Sequence, residues 1–287
     1  MLSSPHTDIQ LQTDTLIGVP FDERHALHSL LQDGFDTSQT TGTDDISRRL
    51  FQIRMADSAG KRSDASILIN RMYATRGYRC NGLPEAESSR RITLVASEFD
   101  EAIGTISIGF DSPSGLLVDS LFGDETAALR RSGQRLCEFT KLAIDSVVRS
   151  RRVLASLFHV AYIYSYRVLG GTHLLIEVNP RHVNYYRRML GFQVIGPERL
   201  NHRVNAPAVL MGLDFEHARD QIAKFGGCPE AAAAERSLYP FFFSPQDERG
   251  IVDRIVDARP KGAPMHRFSR APAAALHASA LHASALN

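Results

Sequence analysis

The sequence predicts an α/β or α+β fold, in which helices cover the faces of a β-sheet. Two observations support this class. Apolar residues make up 43% of the 287 residues, which is enough to bury a sizeable core. Between about residues 46 and 215, alternating apolar runs are mixed with segments of helical spacing in the order β-α-β-β-β-α-β-α-β-β. This region, 46–215, is interpreted as the core domain.

The first half of the core is predicted to contain a strand, two helices and a hairpin. Alternation of apolar and polar residues indicates the strands, and Gly77 is a typical residue to end a helix. Asp100 and Glu101 are expected to join the hairpin strands. The predicted elements are a strand at 49–57, a helix at 63–77, strands at 91–99 and 102–110, and a short helix within 111–136.

The second half is predicted to combine strands with two helices. The apolar helix at 153–169 contains His159 and Arg167 and is slightly short for a membrane span, so we interpret it as a buried core helix. Asn179-Pro180 ends a strand, because proline cannot donate to the β-ladder. The predicted elements are helices at 153–169 and 181–190 and strands at 137–145, 173–179, 192–196 and 208–215.

The two ends of the chain differ in composition from the core. Residues 1–45 are rich in Asp, Gln, Ser and Thr and are predicted to form a disordered arm. Residues 216–260 show helical spacing again and are predicted to form a C-terminal helical extension. Residues 261–287 repeat the unit ALHAS and are interpreted as a low-complexity tail.

Composition and missing motifs narrow the function. The formal net charge of +1 argues against a general nucleic-acid binder. The three scattered cysteines indicate reduced thiols, and the N-terminus lacks the basic start and apolar block of a signal peptide, so a cytoplasmic location is expected. The chain contains no P-loop, zinc-protease or serine-hydrolase motif and no metal-ligand spacing of Cys and His, so no metal site is predicted.

The stretch HLLIEVNPRHVNYYRRMLGFQVIG, residues 173–196, combines a strand, a short helix and a Gly-Phe turn into the next strand. It resembles the last motif of the GNAT superfamily of N-acyltransferases, and the order of elements in the core is similar to theirs. The resemblance implies a mixed, mostly antiparallel sheet flanked by helices. It also implies that strands 137–145 and 173–179 separate into a wedge that admits the pantetheine arm of an acyl donor.

The strand CEFTKLAID, residues 137–145, points to a narrower family. It resembles the Glu-x-Ser/Thr-Arg-Phe strand of the acyl-homoserine-lactone synthases, with Glu138, Thr140 and Lys141 on the matching positions. Together with the ending IEVNPRHVNYYRRMLGF, it is more similar to the FeeM-like long-chain N-acyl amino acid synthases. That resemblance implies transfer of a long-chain fatty acyl group from acyl carrier protein to the amine of an amino acid. An acetyl-CoA-dependent N-acetyltransferase and a non-catalytic module that binds acyl carriers are the alternatives.

Arginines occur where GNAT enzymes carry a glycine-rich pyrophosphate loop. The segment SVVRSRRVLASLF contains no glycine and includes Arg149, Arg151 and Arg152. Arginines at a helix start suit the single phosphate and the acidic surface of an acyl carrier protein; an ordinary solvated helix start is the alternative. The expected substrate is the phosphopantetheine thioester of acyl carrier protein, or acyl-CoA, and no permanently bound cofactor is expected.

Glu138 is the candidate general base, because the amine of the acceptor must lose a proton before it attacks the thioester; a structural salt bridge at the edge of the strand is the alternative. Strand alternation predicts that Leu142 and Ile144 share its face, where partial desolvation would raise its pKa. The resemblance implies that the pantetheine arm binds the main chain of this strand, so Thr140, Lys141 and Leu142 are the expected donor-binding residues. A main-chain amide of the same strand would hold the oxyanion.

The helix at 181–190 and the turn before it supply the candidates for the acceptor side. Tyr186 is the candidate acid that protonates the leaving thiolate. Asn179, Arg181 and Tyr185 are expected to bind the amino-acid acceptor, and an arginine can hold its carboxylate through a bidentate pair. Structural packing is the alternative for both tyrosines, and simple solvation is the alternative for the arginine.

Overall fold

The structure, a computed structural model, describes residues 15–21, 50–78, 82–83, 90–146, 148 and 150–257. The strands are β1 Thr15–Pro20, β2 Leu50–Met55, β3 Arg91–Glu98, β4 Glu101–Phe110, β5 Leu136–Ile144, β6 His173–Val178, β7 Gln193–Val194, β8 Arg199–Asn201 and β9 Ala206–Asp214. The helices are α1 Ala59–Ala74, α2 Asp119–Arg131, α3 Arg151–Tyr162, α4 Val183–Leu190, α5 Phe215–Phe225, α6 Ala232–Glu235 and α7 Pro245–Asp257.

The strands form one twisted path in the order β1-β2-β3-β4-β5-β6-β9-β7, and β8 pairs with β9. Strands β5 and β6 run parallel, whereas the other neighbouring pairs run antiparallel. Parallel neighbours need a crossover connection, and α3 provides it. The predicted mixed, mostly antiparallel sheet is therefore confirmed.

Helices cover both faces of this sheet. On one face, α3 continues into a π-helical turn at Ile163–Val168, so the predicted helix at 153–169 is confirmed. The main hydrophobic core lies between this helix, the sheet and the C-terminal helices. On the opposite face, α1 and α2 cover smaller apolar clusters.

The hairpin between β3 and β4 turns one residue earlier than the sequence predicts. Phe99 and Asp100 occupy the turn, with φ of 48° and 65°. Left-handed conformations at both central residues match the twist of the flanking strands, as in type I′ turns. The prediction of a hairpin is confirmed, with Phe99 in place of Glu101 at the turn.

Strand β1 lies in the segment 1–45, for which composition predicts disorder. It pairs antiparallel with β2, and Leu16 and Val19 are buried in the main core. Disorder was therefore the wrong prediction for residues 15–20. A six-residue edge strand within a polar segment gives too short an alternation to detect. The remaining residues of 1–45 apart from Phe21, and the tail 261–287, lie outside the described residues.

The C-terminal extension packs on the α3 face rather than forming a separate unit. It begins with α5, which starts at Phe215, and it ends with α7. Arg254 of α7 donates a hydrogen bond to the carbonyl of Leu16, and Leu238 donates to the carbonyl of Met189. No helix in the described part of the chain has the length and apolar character required to cross a membrane.

Candidate active site

Strands β5 and β6 pair only over their first residues. Leu136 pairs with His173, Cys137 with Leu174 and Glu138 with Leu175. Beyond Glu138 and Leu175, neither strand pairs with the other, although both are described to their ends. The strands therefore enclose a wedge that opens toward their C-terminal ends. The predicted opening between 137–145 and 173–179 is present.

A β-bulge at Lys141 changes which side chains face the two helical layers. Thr105 of β4 pairs with Ala143, and Ser107 pairs with Thr140, so β5 carries one extra residue between these pairs. Lys141 has a φ of 50°, in the left-handed region. Its Nζ donates to the carbonyl of Gly82 at 2.8 Å, next to α1.

The bulge corrects the predicted surroundings of Glu138. Leu142 and Ile144 pack against the main core on the α3 face, with Phe139, and not beside Glu138. The prediction that these residues share the face of Glu138 was wrong, because the inserted residue reverses the alternation beyond Lys141. Glu138 lies on the opposite face, covered by the segment that leads into α2.

Glu138 is buried, with 2% of its surface exposed. Its carboxylate forms an ion pair with Arg91 of β3 and accepts hydrogen bonds from the amides of Leu117 and Val118 at 3.1 and 3.0 Å. Arg91 also donates to the hydroxyl of Thr140 at 2.9 Å. The structure thus brings the predicted residues Glu138 and Thr140 together, through an arginine that the sequence analysis missed.

A second carboxylate, Glu177 of β6, lies on the same face and was also missed. Arg203 donates to both of its oxygens at 2.7 Å, and the amide of Asn201 donates to it. Burial raises the pKa of Glu177; Arg203 opposes this shift, and the charge of Glu138 adds to it. Glu138 of β5 and Glu177 of β6 therefore interact near the closed end of the wedge, its vertex, where the two strands stop pairing.

The segment before α2 connects these two carboxylates. Arg203 donates to the carbonyl of Leu117 at 2.8 Å, and the amide of Leu117 donates to Glu138. Asp119 accepts a hydrogen bond from the amide of Leu116 at 2.8 Å and one from Arg130 at 2.7 Å. Burial raises the pKa of Asp119, but these hydrogen bonds outweigh it, so the pKa is lowered. The charged network fixes the backbone that covers the vertex.

Tyr186 of α4 lies at the mouth of the wedge. Its ring contacts Phe158 and Phe192 at centroid distances of 6.4 and 5.8 Å, and Phe158 in turn contacts Phe139 at 6.1 Å. Burial raises the pKa of Tyr186 above its ordinary value. These rings form an apolar floor on the α3 face, beneath the part of β5 that has separated from β6.

The remaining acceptor-side candidates surround the start of α4. The Oδ1 of Asn179 accepts a hydrogen bond from the amide of Arg181, and the guanidinium of Arg181 donates to the hydroxyl of Tyr78 at 2.6 Å. Tyr185 is 37% exposed and contacts the ring of Tyr186. Burial raises the pKa of Tyr185, and the charges of Arg151 and Arg188 oppose the rise.

The predicted donor arginines do not act as one cluster. Arg151 is the exposed first residue of α3, which Ser150 caps. Arg152 instead donates to the carbonyl of Phe241 at 3.1 Å and lies over the ring of Phe243, so it holds the C-terminal extension. Its predicted role in donor binding is therefore not supported by its contacts. Arg149 lies outside the described residues.

The sheet order and the separated pair of parallel strands give the chain a GNAT-like fold. The family model described as N-acyl amino acid synthase FeeM matches residues 64–214, more than half of the chain. The chain belongs to this family. The resemblance inferred from the strand at 137–145 and the stretch at 173–196 is thereby confirmed.

Solved structures with similar folds include FeeM, an N-acyl amino acid synthase from uncultured soil microbes. FeeM is 29% identical, and the match covers 60% of this chain and 95% of FeeM with a TM-score of 0.54. The AHL synthase LasI is 12% identical over 58% of this chain and 91% of its own, with a TM-score of 0.44. An acyl-CoA N-acyltransferase from Pseudomonas aeruginosa is 14% identical over 56% of this chain and 97% of its own, with a TM-score of 0.40. No curated protein sequence matches the chain.

Proposed function

We propose that this acyltransferase moves a long-chain fatty acyl group from the phosphopantetheine thioester of acyl carrier protein to the amine of an amino acid. The observation that carries the proposal is the wedge between β5 and β6, with an apolar floor on one face and two carboxylates on the other. The extended thioester arm and the fatty acyl chain would lie against the apolar face. The amine, which must lose a proton, would lie on the face with the two carboxylates.

The donor arm would bind along the edge of β5 from Phe139 to Leu142. The β5–β6 pairing ends at Glu138 and Leu175 in the described residues, and an extended arm can pair with a strand as a further strand does. The bulge at Lys141 turns the main chain there out of the regular ladder, and Thr105 binds the carbonyl of Lys141 at 2.9 Å. An amide of the bulge is the proposed donor to the oxyanion, since pre-oriented amides stabilise such charge without reorganisation.

Glu138 is the proposed base for the acceptor amine. It stands at the vertex, where the thioester carbon of an inserted arm would lie, and a carboxylate has about four acceptor sites, of which its contacts use three. The remaining site can take the proton of the amine directly or through a water molecule. Glu177 would act on Glu138 through its charge and through the shared segment at Leu117.

Tyr186 is the proposed acid for the leaving thiolate. A phenol is protonated near neutral pH and would give its proton to the thiolate, which then leaves as the neutral thiol. Asn179, Arg181 and Tyr185 would bind the amino-acid acceptor at the rim of the wedge, where Arg181 can exchange its contact with Tyr78 for the acceptor carboxylate.

Positive charge at the mouth of the wedge supports acyl carrier protein, which has an acidic surface, as the donor. The charges of Arg151 and Arg188 act on Tyr185, and those of Arg76 and Arg181 act on His182, whose pKa is lowered by burial and by these two charges. These four arginines are exposed. They would attract the phosphate of the arm and the acidic surface of a carrier protein.

Purified protein incubated with acyl carrier thioesters, acyl-CoA thioesters and an amino-acid mixture tests the proposal directly. Mass spectrometry should identify N-acyl amino acids, formed faster from carrier-bound long-chain donors than from acetyl-CoA. Acetylated products alone would show that the protein is instead an N-acetyltransferase. Binding of acyl carrier protein without any product would show that it is a non-catalytic module.

A further inference from the structure

Arg203 lies on the turn between β8 and β9, residues 202–205, and its side chain extends to the vertex of the wedge. One terminal nitrogen of its guanidinium donates to both carboxylate oxygens of Glu177 at 2.7 Å. The other terminal nitrogen donates to the carbonyl of Leu117 at 2.8 Å. Arg203 therefore links β6 to the segment that covers the vertex.

The peptide group between Leu117 and Val118 lies between Arg203 and Glu138. Its carbonyl accepts the hydrogen bond from Arg203, and its N–H, which belongs to Val118, donates to Glu138 at 3.0 Å. A peptide group is planar, so the direction of its carbonyl also determines the direction of its N–H. The contact with Arg203 thus orients a donor that holds the carboxylate of Glu138.

The turn between β8 and β9 holds Arg203 in this position. The amide of Arg203 donates to Oδ1 of Asn201 at 2.9 Å, and Nδ2 of Asn201 donates to Glu177. Asn201 is buried, and Asn205 ends the turn with a φ of 50°, in the left-handed region that asparagine tolerates better than most residues. Both the main chain and the guanidinium of Arg203 are therefore fixed relative to Glu177.

The charge of Arg203 acts on a buried carboxylate that lies near a second one. Burial raises the pKa of Glu177, the charge of Glu138 adds to the rise, and Arg203 opposes it. An arginine suits this place, because two nitrogens at a fixed separation serve the carboxylate and the carbonyl together, whereas a lysine has a single nitrogen. Removing the guanidinium would take this cation from Glu177 and release the carbonyl of Leu117.

We infer that Arg203 is a positioning residue for Glu138, the proposed base. The inference rests on the proposed function and adds a residue to it. Arg203 acts through the peptide group of Leu117 and Val118, which orients the carboxylate of Glu138, and through the charge of Glu177. It does not itself exchange a proton with the substrate.

The first experiment measures kcat and KM for Arg203→Gln, alone and combined with Glu138→Gln. The single substitution should lower kcat about 10- to 100-fold and leave the KM of the acyl donor nearly unchanged, because a slightly misplaced reacting group can cost this much. In the Glu138→Gln background the same substitution should change kcat little, since the group that it positions is already missing. An unchanged kcat in Arg203→Gln, or an equal loss in both backgrounds, would overturn the inference.

Two further variants make the comparison specific. Arg199→Gln is the matched control: Arg199 of β8 also donates to a carboxylate, that of Glu125, and to a carbonyl, that of Leu121. Its side chain is 33% exposed, against 40% for Arg203, and these contacts do not involve the carboxylates at the vertex, so kcat should stay close to that of the wild type. Arg203→Lys keeps the charge but not the second nitrogen and should recover only part of the activity. An equal loss of kcat in Arg199→Gln and Arg203→Gln would show that both arginines only support the fold.

A second measurement does not depend on catalysis. Amide hydrogen exchange of Leu117 and Val118 should become at least about tenfold faster in Arg203→Gln, since the loss of a charge-assisted hydrogen bond releases the segment, and should not change in Arg199→Gln. Unchanged exchange in Arg203→Gln would overturn the inference. If the wild type forms no N-acyl amino acid while the exchange responds as expected, the proposed function fails and the role of Arg203 in orienting Glu138 stands.

Discussion

Arg91 and Glu138 form an ion pair across Gly109, which lies on the strand between theirs. Arg91 pairs with Gly109, and Gly109 pairs with Glu138, so the three residues lie in one row across β3, β4 and β5. A Cβ at Gly109 would lie 2.8 Å from Cγ and Oε1 of Glu138 and 2.9 Å from a guanidinium nitrogen of Arg91. The missing side chain of Gly109 is therefore what allows the pair to form.

Gly109→Ala should displace the pair and destabilise the protein. Forcing a methyl group into a packed site typically costs about 1–3 kcal/mol, and loss of the alignment of Glu138 should also lower acyl transfer. Urea unfolding and steady-state kinetics measure the two effects. Gly123→Ala in α2 is the control, because nothing lies within 4 Å of the added Cβ. Equal stability and activity of the two variants would contradict this account of Gly109.

Glu138→Gln should lower kcat by about 10²–10⁴-fold, the usual contribution of a general base. Its activity should recover partly as pH rises, because more of the amino acid then carries a neutral amine. A variant that had lost only a structural contact would show no such recovery. Glu177→Gln, which changes the neighbouring carboxylate in the same way, should lower kcat less than the first substitution. A larger loss of kcat in Glu177→Gln than in Glu138→Gln would indicate that Glu177 is the base.

The regular elements of the site could be predicted from sequence because they depend on local patterns. Alternation identifies β5 and β6, and Gly191 ends α4 in the left-handed conformation, with a φ of 81°, that glycine adopts without strain. The Gly-Phe turn then places Phe192 in the core. The stretch 173–196 therefore indicated the correct order of elements, and its resemblance to the GNAT motif implied the position of the wedge.

The contacts at the vertex of the wedge could not be predicted, because they depend on the register between strands that are far apart in the sequence. Arg91 and Glu138 are 47 residues apart, and their contact requires two strand pairings to be known. The bulge at Lys141 has no sequence signal either, since lysine rarely adopts a positive φ and neither glycine nor asparagine marks the position. Because the extra residue of the bulge was not detected, Leu142 was predicted on the wrong face of the sheet.

Charge reversal at the mouth of the wedge should distinguish donors. The double variant Arg151→Glu/Arg188→Glu should lower kcat/KM for carrier-bound donors at least tenfold, with the loss shrinking as salt screens the charges. Transfer from a free acyl-pantetheine, which lacks the protein surface, should change little. Arg249→Glu, at an exposed site on α7, is the control. An equal loss of kcat/KM with both donors would show that these arginines do not bind the carrier protein.

His159 forms a buried contact between α3 and the C-terminal extension. Its Nδ1 accepts a hydrogen bond from the amide of Phe243, and its Nε2 lies 3.5 Å from Glu248, which also pairs with Arg167. Burial lowers the pKa of His159; Glu248 opposes this shift, and the charges of Arg167 and Arg152 add to it. The neutral imidazole is therefore the form that the folded protein favours.

This lowered pKa predicts that stability falls as pH decreases. Below about 6.5 the histidine of the unfolded chain binds a proton, whereas the buried one resists it until the lower folded pKa is reached. The free energy of unfolding should therefore decrease from pH 7 to pH 5.5, and His159→Gln should show a weaker decrease. Urea unfolding at both pH values measures this, with His217→Gln, at an exposed site, as control. An equally steep decrease in His159→Gln would show that other groups determine the pH dependence.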